Sequence, residues 1–159
     1  MAKPTSARFK EIRNSKAHHK YHIGDRYECG IVLTGTEVKS VRAGKAQISE
    51  AFVRVDRMQP ILYQAHIDEY AFGNIQNHAP TKPRKLLLHK REIHRLSAAL
   101  QQEGYTLVPI RLYLKEALVK VEIALCKGKQ LYDKRQDLKN KQAQLEAKRA
   151  LSASYRYTK

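Results

Sequence analysis

Cysteine is scarce in this chain of 159 residues: there are two, Cys29 and Cys126. Two thiols make neither a metal quartet nor a disulfide framework, so a reduced compartment is the expected setting. Acid is scarce as well, with 15 Asp and Glu against 31 Lys and Arg and a formal charge of +16. An excess of that size opposes compaction until a polyanion neutralises it, and nucleic acid is the commonest such partner. No apolar run approaches the ~20 residues that cross a bilayer. The opening MAKPTSARFKEIRNSK carries charge without the apolar stretch of a secretory signal. A cytoplasmic protein without a membrane partner is expected.

What is present is basic charge, unevenly spread. Residues 1–22 hold six basic side chains (Lys3, Arg8, Lys10, Arg13, Lys16, Lys20) and one acid, Glu11. Residues 127–159 hold ten basic residues and three acids, a net of +7. Between these ends lie basic clusters at Lys39/Arg42/Lys45 and Arg84/Lys85/Lys90/Arg91/Arg95. One such cluster is an ordinary solvated face; four in a small protein point to nucleic acid. The expected organisation is a flexible basic arm over 1–12, a folded domain over 13–126 and a basic tail over 127–159.

The centre reads as short strands. Arg26–Leu33, Ala51–Val55 and Pro60–Ile67 are predicted strands, the last with Ile61, Tyr63, Ala65 and Ile67 on one face at period two. Thr106–Lys115 sets Ile110, Leu112 and Leu114 against Arg111, Tyr113 and Lys115. Leu118–Cys126 continues the alternation, so the two runs form a hairpin across Glu116-Ala117, a connection without the usual Gly or Asn. His89–Glu103 is a predicted helix with Ile93, Leu96 and Leu100 on one side and a stop at Gly104. Glu37–Arg42 is a shorter one, with Thr36 as N-cap and Gly44 as stop. The predicted fold class is mainly β: a small antiparallel oligonucleotide-binding barrel with two or three helices and a basic C-terminal tail.

Catalytic and metal readings find little support. His18, His19 and His22 lie on the basic arm with no Cys or carboxylate at ligand spacing. His89 and His94 are five apart and do not share a helix face. Nothing marks a nucleophile elbow or a Gly-rich phosphate loop. No enzyme, cofactor or metal is expected.

Several stretches together carry a family resemblance: Asn14-Ser15-Lys16-Ala17 with His18, Glu28 through Ser40 (ECGIVLTGTEVKS), and Arg42-Ala43-Gly44-Lys45-Ala46. Further on come Asn77-His78-Ala79-Pro80, Arg84 through Glu92 (RKLLLHKRE) and Lys127-Gly128-Lys129…Asp133-Lys134-Arg135. In this order and spacing the chain resembles the SmpB family, the SsrA-binding proteins, from about residue 12 to about 150. The resemblance implies an oligonucleotide-binding β-barrel that binds the tRNA-like domain of tmRNA. With elongation factor Tu, the complex enters a 70S ribosome stalled without a stop codon. The tail then occupies the vacant mRNA path near the small-subunit decoding region. DNA is not an implied partner.

Carried onto this sequence, the RNA contacts are Asn14, Lys16, His18, Glu28, Gly35, Lys39, Arg42, Gly44, Lys45, Arg84, Lys85, Leu87, His89 and Lys90. The ribosome-binding tail residues are Lys127, Gly128, Lys129, Tyr132, Asp133, Lys134 and Arg135. Lys and Arg suit phosphates, while exposed aromatic and small-residue loops suit unpaired bases. Gly35 and Gly44 either let the backbone approach an RNA loop or serve turn geometry alone. Glu28 and Glu37 accept from a base amine or hold an arginine in place; the resemblance moves Glu28 towards the RNA. The chain departs from the family pattern at Ser15 (usually Lys or Arg), Gln130 (commonly Lys) and Tyr132 (His in several members). A tyrosine ring stacking on a base replaces an imidazole at about 1–3 kcal/mol, but it does not replace a protonated one.

In the tail, Leu131, Leu138 and Leu145 recur at seven while the second coiled-coil core position is basic, so the seam is missing. Such a helix repels itself, and the tail is expected to be disordered when free and helical on the ribosome. The rival to the tmRNA adaptor is a basic ribosomal or ribosome-assembly protein binding rRNA through the same kind of barrel.

Overall fold

A computed structural model of the chain describes residues 9–73, 75 and 77–156. Lys3 and Arg8 of the expected arm lie outside the described residues. Ile12 already belongs to a strand, β1 (Ile12–Arg13).

Period-two alternation builds the longest elements. β8 (Tyr105–Lys115) and β9 (Leu118–Gly128) pair antiparallel from Tyr105↔Lys127 to Lys115↔Leu118. Their turn places Glu116 and Ala117 at φ 51° and 66°. Two consecutive left-handed residues match the twist of a hairpin, and here the turn is made without Gly or Asn. Arg57 and Met58 (φ 46° and 62°) repeat it between β4 (Phe52–Asp56) and β5 (Gln59–Tyr63).

The single strand expected over Pro60–Ile67 is broken. Gln64 has φ 60°, so β5 ends at Tyr63 and β6 (His66–Ile67) pairs separately with β3 (Ala46–Gln47). The buried residues are therefore Pro60 and Leu62 before the break and Ala65 and Ile67 after it. Ile61 and Tyr63, expected inside, are only half-buried.

The sheet runs β1-β8-β4-β5-β7-β2-β9, with β2 (Tyr21–Ile31) and β7 (Arg84–Leu87), and β8 pairs back onto β9. The pairings form a ring with three narrow joins. β4 meets β8 only at Val53↔Leu107, β5 meets β7 only at Ile61↔Lys85 and Leu62↔Arg84, and β2 meets β7 only at Gly30↔Leu87 and Ile31↔Leu86. This is the expected mainly antiparallel, barrel-like architecture, with seams rather than full closure. The described helices are α1 (Ala17–Lys20), α2 (Gly35–Arg42), α3 (Lys90–Leu100) and α4 (Leu131–Arg156).

The main core packs Cys29, Val53, Leu62, Leu86, Leu96, Leu107, Leu112, Val121 and Ile123 inside the ring. A second cluster holds Val108, Ile110, Ala124 and Cys126 with Ala17 of α1. The face of β9 carrying Ala124 and Cys126 is thus covered as well. Burial pushes the Cys29 thiol up to about 12 and that of Cys126 up to about 11, so both stay protonated and unreactive.

By its contacts the chain divides into two units, Met1–Gly128 and Lys129–Lys159. β9 reaches Gly128, two residues past the expected boundary at 126. The second unit is essentially α4, 26 residues and about 39 Å long at 1.5 Å each. Leu138, Leu145 and Leu151 on it are all exposed. Among the described residues no helix is long and apolar enough to cross a membrane.

Candidate nucleic-acid interface

The segment Thr34-Gly35-Thr36-Glu37 starts α2. The N-cap is Thr34, not Thr36 as expected: the Thr34 backbone N–H donates to Glu37 Oε2 at 2.7 Å, and the Thr34 side chain completes a capping box. Thr36 instead shares a hydrogen bond with His78 Nδ1 at 2.9 Å. Gly44, at φ 76°, ends the turn after the helix as expected. A Cβ on Gly35 or Gly44 would meet nothing within 4 Å. Gly44 is thus explained by its backbone angle, and Gly35 opens onto free space.

One side of α2 is buried through Glu37, Ser40 and Val41. Lys39 and Arg42, three apart, are exposed, and Lys45 follows beyond the helix. Lys39 Nζ lies 5.1 Å from the Tyr70 ring centre, and Arg42 Nη2 donates to the Ala117 carbonyl at 3.0 Å. The second bond ties the basic helix to the tip of the β8–β9 hairpin.

Beside that tip, cross-strand register assembles a polar sheet face. Glu28 lies opposite Glu122, Gly30 opposite Lys120 and Leu87, Tyr113 opposite Lys120, and Arg111 opposite Glu122. Directly paired residues share a face, so Glu28, Lys85, Leu87, Arg111, Tyr113 and Lys120 all point outward together. Glu28 accepts from the Tyr113 hydroxyl and from Lys115 Nζ at 3.0 Å. The Tyr113 bond first, and the Lys115 ammonium second, hold its carboxyl below the usual range. Tyr113 is in turn pushed up by burial and by the Glu28 charge. Glu28 therefore holds a tyrosine and a lysine, not an arginine, and stays partly exposed. Leu87 is 53% exposed, a large apolar surface among charges. Lys85, His89 and Lys90 are exposed nearby. Lys85, Leu87, Lys90 and His94 line part of one groove of about 480 Å³.

Two expected contacts are placed elsewhere. Arg84 is 2% exposed: its Nε donates to Glu37 Oε1 at 2.7 Å, Nη1 to the Ala65 carbonyl at 2.7 Å and Nη2 to the Pro80 carbonyl at 3.0 Å. Each of its three guanidinium nitrogens donates inside the protein, so it holds α2 and the 78–82 segment rather than a phosphate. Burial raises the Glu37 carboxyl, but the Thr34 N–H, the Arg84 guanidinium and Lys82 outweigh it and keep the group low and ionised. Asn14, 3% exposed, donates to the carbonyls of Ile48 and Pro109 and pins the N-terminal segment to the barrel. Lys16 is exposed but ion-paired with Glu50 at 2.5 Å, which Lys20 also reaches. His18 lines a cleft of about 420 Å³ with Arg13, Ser15, Arg26 and Arg111. Arg26, Arg111, Tyr113 and Lys120 are residues of this surface that the sequence reading did not assign. The alternation of Arg111 and Tyr113 with buried neighbours was the available signal.

Of the tail residues, Lys127 and Gly128 end β9 opposite His22 and Tyr21. Lys127 Nζ is 5.7 Å from the Tyr105 ring centre. In the second unit Lys129 pairs with Asp137, and Tyr132 on the first turn of α4 is 75% exposed. Asp133, Lys134 and Arg135 follow on the same helix. Among the described residues no three His, Cys, Asp or Glu side chains are grouped to hold a metal.

The family model described as SmpB protein matches residues 11–153. The chain belongs to the SmpB family. An SsrA-binding protein of Shouchella clausii is 50% identical over 144 residues, covering 91% of this chain and 92% of that one. One from Geotalea uraniireducens is 53% identical over 128 residues, covering 80% and 85%. A solved structure, "tmRNA-SmpB: a journey to the center of the bacterial ribosome", contains a chain 42% identical, with a TM-score of 0.65 over 76% of this chain and 85% of that one. Within the SmpB family frame, the basic helix α2 and the Glu28–Leu87 sheet face form one candidate surface, and the exposed start of α4 forms another.

Proposed function

We propose that this chain is a cytoplasmic, non-catalytic RNA-binding adaptor of ribosome rescue. It binds the tRNA-like domain of tmRNA, enters the stalled ribosome with elongation factor Tu, and places its tail in the vacant mRNA path. The observation that carries this reading is its likeness, at about half identity over most of both chains, to proteins named for binding SsrA RNA. Lys39, Arg42, Lys45, Lys85 and Lys90 supply phosphate contacts, while Glu28 and Leu87 face looped bases. Asn14 and Arg84 serve by holding this surface in place.

The tail acts separately. Its net +7 opposes helix formation in free solution, and rRNA phosphates remove that repulsion. Tyr132 then presents a ring and a hydroxyl to the decoding bases, with Lys134 and Arg135 on the backbone. The test is to recover the protein from its cells with RNA attached and sequence that RNA. Enrichment of a single tmRNA supports the reading; bulk ribosomal RNA in its place refutes it.

A further inference from the structure

The segment between β6 and β7 carries an apolar tip that none of the contacts above uses. Phe72 is 80% exposed and Ile75 102%. Residues on either side of them are tied together. Asn77 accepts from the Tyr70 N–H at 3.0 Å and donates to the Tyr70 carbonyl at 2.7 Å. A Cβ on Gly73 would lie 2.8 Å from the Asn77 amide nitrogen, so a side chain there would push that amide out of the clasp. Next to it, His78 Nε2 donates to the Ile67 carbonyl at 3.0 Å, which leaves Nδ1 to accept from Thr36 of α2 at 2.9 Å. The tip is thus fastened to the basic helix.

The aromatic order has a direction. Lys39 of α2 covers the Tyr70 ring at 5.1 Å, and Phe72 meets Tyr70 edge-on, with centres 5.6 Å apart and planes at 67°. Tyr70 is therefore occupied by Lys39 and by the Phe72 edge, while Phe72 is turned out to solvent. Asp68 is engaged by His66 at 2.9 Å, and Glu69 is exposed. An exposed aromatic ring on a basic surface is what single-stranded nucleic acid uses for an unpaired base.

We propose that Phe72 is a stacking platform for one unpaired base of the RNA held by α2, with Asn77 as its positioning residue. The proposal rests on the RNA-binding reading above and adds a base-binding site to it. Stacking is not ionic, which separates it from the phosphate contacts.

The protein lacks tryptophan, so Phe72→Trp introduces a single reporter at the site. Titrated with the transcribed tRNA-like domain of tmRNA, this variant should keep near wild-type affinity, and its fluorescence should be quenched on binding. Phe72→Ala should weaken binding about 5- to 150-fold, the range of one stacked base, with an unchanged slope of log K against log salt. Unquenched tryptophan together with wild-type affinity of Phe72→Ala overturns the proposal. So does a loss of affinity accompanied by a slope flattened by about 0.7 or more, which marks a displaced phosphate contact. If Phe72→Ala binds RNA normally but fails in rescue on ribosomes, the tip meets a protein and the base site is again excluded. Should the wild-type protein itself not bind this RNA, the functional reading fails instead, and the two failures are distinct.

Discussion

Replacing Arg84 by Met separates a structural from an RNA-contacting role for this residue. In the folded protein Arg84 and Glu37 have no exposed side-chain surface, and Arg84 makes three hydrogen bonds to Glu37, Ala65 and Pro80. Arg84→Met strands the Glu37 carboxylate in the interior. Breaking a buried pair from one side costs about 3–5 kcal/mol. Lys82 remains 3.4 Å from Glu37, which points to the lower end, about 3 kcal/mol. For a domain of this size that is a Tm fall of about 12 °C. Adding Glu37→Leu removes the stranded charge, and the double variant should recover to a deficit of about 1–2 kcal/mol, that of the lost α2 capping box. Urea unfolding followed by far-UV circular dichroism gives these energies. The folded double variant should then bind tmRNA with the wild-type salt slope, because no phosphate contact has been removed. The reasoning is refuted if Arg84→Met costs under about 1 kcal/mol, or if the slope flattens by about 0.7–0.9, the share of one phosphate.

Replacing Glu116-Ala117 by Asn-Gly relieves two left-handed residues and should raise stability by about 1 kcal/mol, seen as a Tm gain of about 4 °C. The ionised Glu37 has a lowered folded pKa, so its contribution is complete above the ordinary value of 4.5 and is lost as pH falls through the folded value. Acid unfolding monitored from pH 6 to 2 should therefore be less steep in the Arg84→Met/Glu37→Leu variant. A chain ended after Gly128 should keep most tmRNA affinity in filter binding, whereas one ended after Ala124 should unfold because it loses buried Cys126. The full-length Tyr132→Ala/Lys134→Ala variant should bind tmRNA normally yet fail to support tagging; wild-type tagging rates exclude a role for these residues in rescue.

The β8–β9 hairpin was legible because its apolar residues alternate with Lys, Arg and Glu. The second core beneath α1 was not, since Ala124 and Cys126 are small residues and a four-residue helix leaves no periodic trace. The break at Gln64 was equally hidden: a left-handed Gln carries none of the composition that marks such a turn. Other misses had a signal. Thr34 precedes Glu37 by the capping-box interval, which favours it over Thr36. Arg84 shares its strand face with Leu86 at period two, so its burial followed from the same alternation that placed Lys85 and Leu87 outside. The basic residues around α2 were visible as a cluster. The sheet face was not, because Glu28, Tyr113 and Leu87 meet only through register between distant strands.

The narrow joins of the ring also order events in time. The β4–β5 and β8–β9 hairpins connect neighbouring residues and close on the microsecond scale, whereas the β2–β7 and β4–β8 joins bring distant parts of the chain together and form late. Joins made of one or two residue pairs are also where the native ring opens most readily, so their amides exchange before those of the hairpins. Glu28 and Leu87 stand on opposite sides of the β2–β7 join. An RNA gripping both would staple the barrel shut across one of its narrow joins, slowing its breathing as it binds.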